Sequence, residues 1–201
     1  MTREYYIVDV IPVDFTYNEA GKPDLLTMKQ VNPVFGKVIE PDRIAGILNL
    51  EPADLDQRYP VQEVSTGLPF LLVPLKNLAN IKKAKVDVAG LMDLVGGQEA
   101  KALFLFCPET YEPDNRLNAR MFGHYYGVPE DPATGSANGC LAGYLMKYDY
   151  FGPGPLEVRV EQGYEIGRKS ILYLSGSRQE DDYRILVGGR VQLVAKGELV
   201  D

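Results

Sequence analysis

Glu130-Asp131-Pro132-Ala133-Thr134-Gly135-Ser136-Ala137 gathers carboxylates, two hydroxyls and two turn formers immediately ahead of an uncharged stretch. That stretch, Ser136 to Met146, carries small residues at several positions around a helical wheel and reads as a helix. Pro132 and Gly135 shape a tight turn into it. A helix start presents backbone N–H groups without intrahelical acceptors and the positive end of the dipole, which together hold carboxylate or phosphate oxygens. Asp131, just upstream, is placed to accept a proton from a ligand held there, or to hydrogen-bond to it. The plainer reading of the same residues is that Thr134 or Ser136 caps the helix and Asp131 favours its dipole.

The other reactive side chains offer less. His124 is the single histidine, so a histidine-rich metal site cannot be built; a surface or capping role is expected for it. Cys107 and Cys140 are too few for a disulfide scaffold and lack metal-ligand spacing, so no metal is expected. Cys140, inside the helix, reads as packing rather than as a nucleophile. Arg120 and Arg168 are expected to pair internal carboxylates in preference to a substrate. Ser65-Thr66-Gly67 reads as a turn, and Val187-Gly188-Gly189-Arg190 lacks phosphate-loop spacing and reads as a hairpin turn.

These residues need a scaffold. Tyr5 to Phe15 and Leu25 to Gln30 read as two strands of a hairpin, joined by the turn chemistry of Asn18 to Pro23. Glu40-Pro41-Asp42 opens a short helix through Leu48, and a further helical turn begins near Glu51. Val61–Val64 and Phe70–Leu75 read as strands, Asn77–Leu94 as two helical pieces divided near Lys85, and Leu103–Cys107 and Leu117–Phe122 as strands. After the uncharged helix come strands at Leu156–Glu161, Ser170–Ser175, Tyr183–Val187 and Arg190–Val194.

A helix that is apolar all round must be enclosed on all sides. Its interior glycines each cost about 1 kcal/mol relative to alanine, so something must approach the backbone closely to compensate. The expected fold class is therefore α+β, with mixed strands wrapped in a barrel-like way around one buried central helix. Gly143→Leu should disrupt it, and Lys147→Ala at its polar end should be nearly neutral.

The chain has 201 residues, with 21 basic against 28 acidic side chains and a formal charge of −7. Without a basic block it has no electrostatic footprint for duplex nucleic acid or anionic lipid. The longest apolar runs, Leu68–Leu75 and Ala102–Cys107, fall far short of a membrane span, and charge stands where a signal peptide would begin its apolar region. Neither nucleic acid nor membrane is an expected partner, and a reduced cytoplasmic compartment is the expected location. No repeat, linker or low-complexity segment appears, so residues 1–201 are read as one domain.

Four ordered motifs resemble one known family. Glu130 to Ala137 with the following helix is similar to the signature of the phenazine-biosynthesis (PhzF-like) isomerases, which have the diaminopimelate-epimerase-like fold. Pro60 to Leu75, Asn118-Ala119-Arg120-Met121-Phe122 and Glu161-Gln162-Gly163 to Ser170 fall in the family's order. The resemblance implies a fold of two similar halves, each a barrel-like wrap around one helix, with the active site between the helix starts. The chain matches the second half, and the first, which carries the family's main proton-transfer carboxylate, is expected to be absent. Carried over, the resemblance implies catalytic roles for Asp131 and Ser136 and substrate contact by Thr134, Gly135 and Ala137. Ser136 stands where related amino-acid epimerases have a cysteine. The implied activity is a cofactor-independent isomerisation or epimerisation by proton transfer on a small carboxylate-bearing substrate. The alternative is a non-catalytic half that binds a small acid or dimerises. The partner expected to complete the site is a second copy or a separate first-domain chain.

Overall fold

A computed structural model describes residues 11–191, 195 and 197. In chain order it contains β1 (Val13–Tyr17), β2 (Pro23–Lys29), β3 (Val34–Ile39), α1 (Pro41–Ile47), β4 (Val61–Ser65), β5 (Pro69–Pro74), α2 (Leu78–Lys83) and α3 (Val88–Gly96). There follow β6 (Leu103–Cys107), β7 (Leu117–Gly123), β8 (Val128–Asp131), α4 (Gly135–Lys147), β9 (Leu156–Gln162), β10 (Ser170–Gln179) and β11 (Asp182–Arg190). The strands form one sheet in the order β1-β2-β11-β10-β9-β7-β6-β5-β4-β3, with β8 paired to β7 off this path. The fold is mixed α+β and dominated by this sheet. Among the described residues its ends, β1 and β3, do not pair with each other, so the sheet is not closed into a barrel.

The middle strands read as continuous apolar runs because both of their faces are covered. In β5, Phe70 and Leu72 join the cluster around α4, whereas Leu71 and Val73 join the cluster under α1, α2 and α3. In β6, Phe104 and Phe106 face the first cluster and Leu103, Leu105 and Cys107 the second. This period-two alternation makes two cores share one sheet.

Helix α4 packs against β4, β5, β9, β10 and β11, and every residue from Ala137 to Met146 is buried. Close approach accounts for its glycines. A Cβ on Gly143 would lie 2.8 Å from Pro33 Cβ and 3.4 Å from Ile185 Cδ1, and one on Gly139 would lie 2.7 Å from Gln30 Oε1 and 2.9 Å from Thr66 Oγ1. Lys147 departs from expectation: it is half-buried, with its ammonium 4.0 Å from the centroid of the Phe35 ring. Lys147→Ala should therefore cost about 0.5–2 kcal/mol through the lost cation–π contact rather than nothing. Chemical denaturation of the two proteins checks this.

Several elements differ from the sequence reading. Val187 to Arg190 is not a hairpin turn: β11 runs unbroken through both glycines, with Leu172↔Gly189 on one side and Gly189↔Leu26 on the other. Gly188 is there for close approach, since a Cβ on it would sit 3.1 Å from Thr27 Oγ1. Arg190 ends that strand, and residues 192–194 of the expected separate strand lie outside the described residues. Residues 5–10 of the first expected strand also lie outside them, and β1 begins only at Val13. The hairpin itself is present, β1 and β2 being antiparallel, and Asn18 Oδ1 accepts from the N–H groups of Ala20 and Lys22 in its turn. β3 and β8 were not expected. The register of β3 shifts between Phe35 and Val38, which breaks its alternation, and β8 is four residues of which one is proline and two are charged. Among the described residues no helix is long and apolar enough to cross a membrane.

Candidate functional site

β7 acts as the ruler for the site. Its one edge is filled by β6, so β8 and β9 meet along the other: Ala119 is opposite Gln162 of β9, and Met121 is opposite Asp131 of β8. Ala119 and Met121 are two residues apart and both face the α4 cluster, so Asp131 and Gln162 arrive side by side at the start of that helix. Gly163 permits the crossing. Its φ is +78°, and a Cβ there would lie 2.4 Å from Arg168 O and 2.9 Å from Pro132 Cα, so the chain leaving β9 passes directly beneath the chain leaving β8.

Thr134 occupies the N-cap position of α4, but its side chain does not cap the helix. Its hydroxyl donates instead to Asp131 Oδ2 at 2.5 Å. The N–H groups of Gly135, Ser136 and Ala137, which a helix start leaves without intrahelical acceptors, therefore receive no cap from Thr134. Gln162 and Asn138 complete the arrangement, and both are fully buried. Gln162 Nε2 donates to Asp131 O at 2.8 Å and to Thr134 Oγ1 at 3.0 Å, and its Oε1 accepts from Thr134 N at 3.2 Å and from Asn138 Nδ2 at 3.0 Å. All four hydrogen-bonding positions of the Gln162 amide are thus used.

The five residues expected at the site are contiguous in space but differently exposed. Asp131, Gly135 and Ser136 are half-buried, whereas Thr134 and Ala137 are buried, so Ala137 can offer a ligand little besides its N–H. A cavity of about 700 Å³ opens beside the helix start, with Met28, Leu172, Val187, Gly189, Lys169 and Gly135 in its wall. Of the five, Gly135 alone lines it. The register explains its apolar floor: Leu26, Met28, Leu172 and Val187 continue the inner face of β2, β10 and β11 past the end of α4. Gly189, with nothing among the described residues within 4 Å of where its Cβ would be, leaves the space open.

The remaining candidates resolve into structure. Arg120 forms a two-pronged ion pair with Glu130, Nε to Oε1 at 2.9 Å and Nη2 to Oε2 at 2.7 Å, and its Nη1 donates to Ile81 O and Ala84 O at the end of α2. It holds β8 to the scaffold. Arg168, expected to pair internally as well, is exposed and enters no ion pair among the described residues. His124 lies in a 3-10 turn from His124 to Tyr126, half-buried, with no acceptor or donor for its Nδ1 among the described residues. Cys140 is enclosed against Thr66 and Leu68, and burial pushes its thiol up to about 11, which keeps it protonated and unreactive at neutral pH. Ser65 to Leu68 forms the expected turn.

Gln162 and Asn138 were not anticipated as site residues. Glu161-Gln162-Gly163 entered only as a sequence motif, and no local pattern reveals that a strand end will reach a helix start 28 residues away. Glu161, next in sequence but on the opposite face, is a second buried hub. Its carboxylate accepts from the N–H groups of Tyr111 and Glu112 and from the amides of Asn115 and Asn118, and so anchors the loop before β7.

A family model described as phenazine biosynthesis-like protein, PhzC-PhzF, matches residues 8–197. An uncharacterized isomerase of Clostridium acetobutylicum is 28% identical over 197 residues, which cover 95% of this chain and 65% of that one. The trans-2,3-dihydro-3-hydroxyanthranilate isomerase of Pseudomonas chlororaphis is 37% identical over 146 residues, covering 72% of this chain and 49% of that protein. Among solved structures, the PhzF-family phenazine biosynthesis protein of Bacillus anthracis superposes with a TM-score of 0.79 at 27% identity, covering 90% of this chain and 63% of that one. The chain thus spans less than two thirds of the length of these relatives. On the match of the family model across nearly all its residues, the chain belongs to the phenazine biosynthesis-like (PhzC-PhzF) family.

Proposed function

We propose that the start of α4 is a proton-transfer site for a small carboxylate-bearing substrate, and that the chain is the part of a PhzF-like, cofactor-independent isomerase that holds this substrate. The observation that carries the reading is the uncapped helix start beside a fixed carboxylate: Thr134 turns its hydroxyl to Asp131 and leaves the N–H groups of Gly135, Ser136 and Ala137 for a ligand. Backbone donors and a helix dipole in a partly dry site hold the substrate's carboxylate. They also stabilise the enolate-like charge that develops when a neighbouring C–H proton leaves. Asp131 exchanges the proton, and the half-buried Ser136 contacts the substrate. The apolar cavity wall suits a carboxylate with a hydrocarbon ring or chain. The Pseudomonas relative is named for such an acid, which makes trans-2,3-dihydro-3-hydroxyanthranilate the first compound to try.

In this reading the sheet and α4 form one barrel-like half of a diaminopimelate-epimerase-like fold. The second carboxylate comes from a first-half domain or from a second copy of the chain, with the exposed Val13, Phe15 and Tyr17 of β1 on the face to be covered. A non-catalytic acid-binding role is the second reading, favoured by the helix start itself, whose uncapped N–H groups would hold a carboxylate whether or not Asp131 moves a proton. Incubation with the candidate acid in D2O separates the two. Deuterium entering the carbon skeleton, followed by proton NMR, supports proton transfer; saturable binding without any exchange supports the binding role.

A further inference from the structure

We propose that Gln162 is a positioning residue that decides which oxygen of Asp131 can exchange a proton; the proposal rests on the reading of Asp131 as the proton-transfer group. Two backbone groups here have a polarity beyond choice. Thr134 N–H can only donate and Asp131 C=O can only accept, and Gln162 bonds to both, at 3.2 Å and 2.8 Å. They fix the orientation of the Gln162 amide, with Oε1 toward Thr134 N and Nε2 toward Asp131 O. Asn138 Nδ2, donating to the same Oε1 at 3.0 Å, locks it further.

The second proton of Gln162 Nε2 then points to Thr134 Oγ1, at 3.0 Å. A hydroxyl that accepts from an amide is driven to donate elsewhere, and the acceptor in reach is Asp131 Oδ2 at 2.5 Å. The polarity of two backbone groups is thereby carried through the amide and the hydroxyl to the carboxylate. Oδ2 is thereby occupied by an incoming hydrogen. Asp131 is left one working oxygen, Oδ1, with the rotation of its carboxyl group arrested. For a group that must take a proton from one atom and return it to another, a single fixed basic oxygen reduces the search to one geometry. Gln162 and Asn138 are fully buried, so bulk solvent does not compete for these bonds.

NMR of the chain labelled with 13C in aspartate and threonine tests this at pH 7. The Thr134 hydroxyl proton of the wild type should exchange slowly enough to give a resonance, with a contact to the Gln162 side-chain amide. Gln162→Glu, which offers the hydroxyl a second carboxylate, should abolish that resonance and move the Asp131 Cγ signal. Thr134→Val should move the Cγ signal as well, and Thr134→Ser should restore it. Where turnover is measured, Thr134→Val should lower kcat about ten-fold with KM unchanged, as expected when a proton-transfer group is mispositioned and binding is intact. An unprotected Thr134 hydroxyl in the folded wild type, or an Asp131 Cγ signal indifferent to Thr134→Val, overturns the proposal. If Gln162→Glu does not fold, the Thr134 pair decides. The spectra report the relay whether or not the chain turns a substrate over, so its failure is distinguishable from failure of the functional reading.

Discussion

Gly143→Leu should leave no cooperative unfolding transition. The first added atom would already sit 2.8 Å from Cβ of Pro33, a ring that cannot rotate away, and the rest of the side chain would be driven toward Ile185. Extra methylenes in a packed core typically cost roughly 1–3 kcal/mol; four added carbons of which the first already overlaps a rigid ring exceed that range and remove most of the ~5–15 kcal/mol that holds a domain together. The site is lost with the fold, because Gly143 lies two turns along the helix whose first residues form it. Gly143→Ala should give an intermediate result: a folded protein with a lowered urea midpoint. A midpoint for Gly143→Leu equal to that of the wild type would show that the crossing of Pro33 over α4 is not part of the packed core.

The second large effect is chemical. Asp131→Asn should lower the rate of deuterium incorporation into a carboxylate substrate by about 10²–10⁴-fold, the contribution of a positioned general acid–base group. Stability should change little, because an amide oxygen still accepts from the Thr134 hydroxyl. Binding should also survive, since the helix N–H groups and not Asp131 are the anion donors. Loss of exchange without loss of affinity is the expected pattern, read from single-turnover kinetics and calorimetry. Equal exchange rates in the two proteins would remove Asp131 from the chemistry.

Local chemistry made most of this legible in the sequence. The turn of the first hairpin could be read because Asn18 bonds its own neighbouring backbone, and the α4 glycines because an uncharged helix has to be enclosed. The internal role of Arg120 followed from the fit of a guanidinium fork to a carboxylate, and the structure supplies Glu130, whereas the same reading of Arg168 meets no ion pair among the described residues. Long-range register was not legible. Gly188-Gly189 carries the composition of a turn, yet both residues serve a strand, one yielding to Thr27 and the other keeping the cavity open. β8 exists only because β7 leaves an edge free beyond β9, which no property of Val128 to Asp131 announces. For the same reason Asp131 could be singled out from its neighbours in sequence, while Gln162, which governs it, could not.

Everything proposed for this chain depends on whether the start of α4 binds a carboxylate. Titration of the 15N-labelled chain with benzoate, and in parallel with benzamide, tests it most directly. Benzoate should give saturable shifts that are largest at the amides of Gly135, Ser136 and Ala137, weakened by salt, and absent with the neutral benzamide. Equal shifts with both compounds, or benzoate shifts centred on another part of the chain, would contradict it.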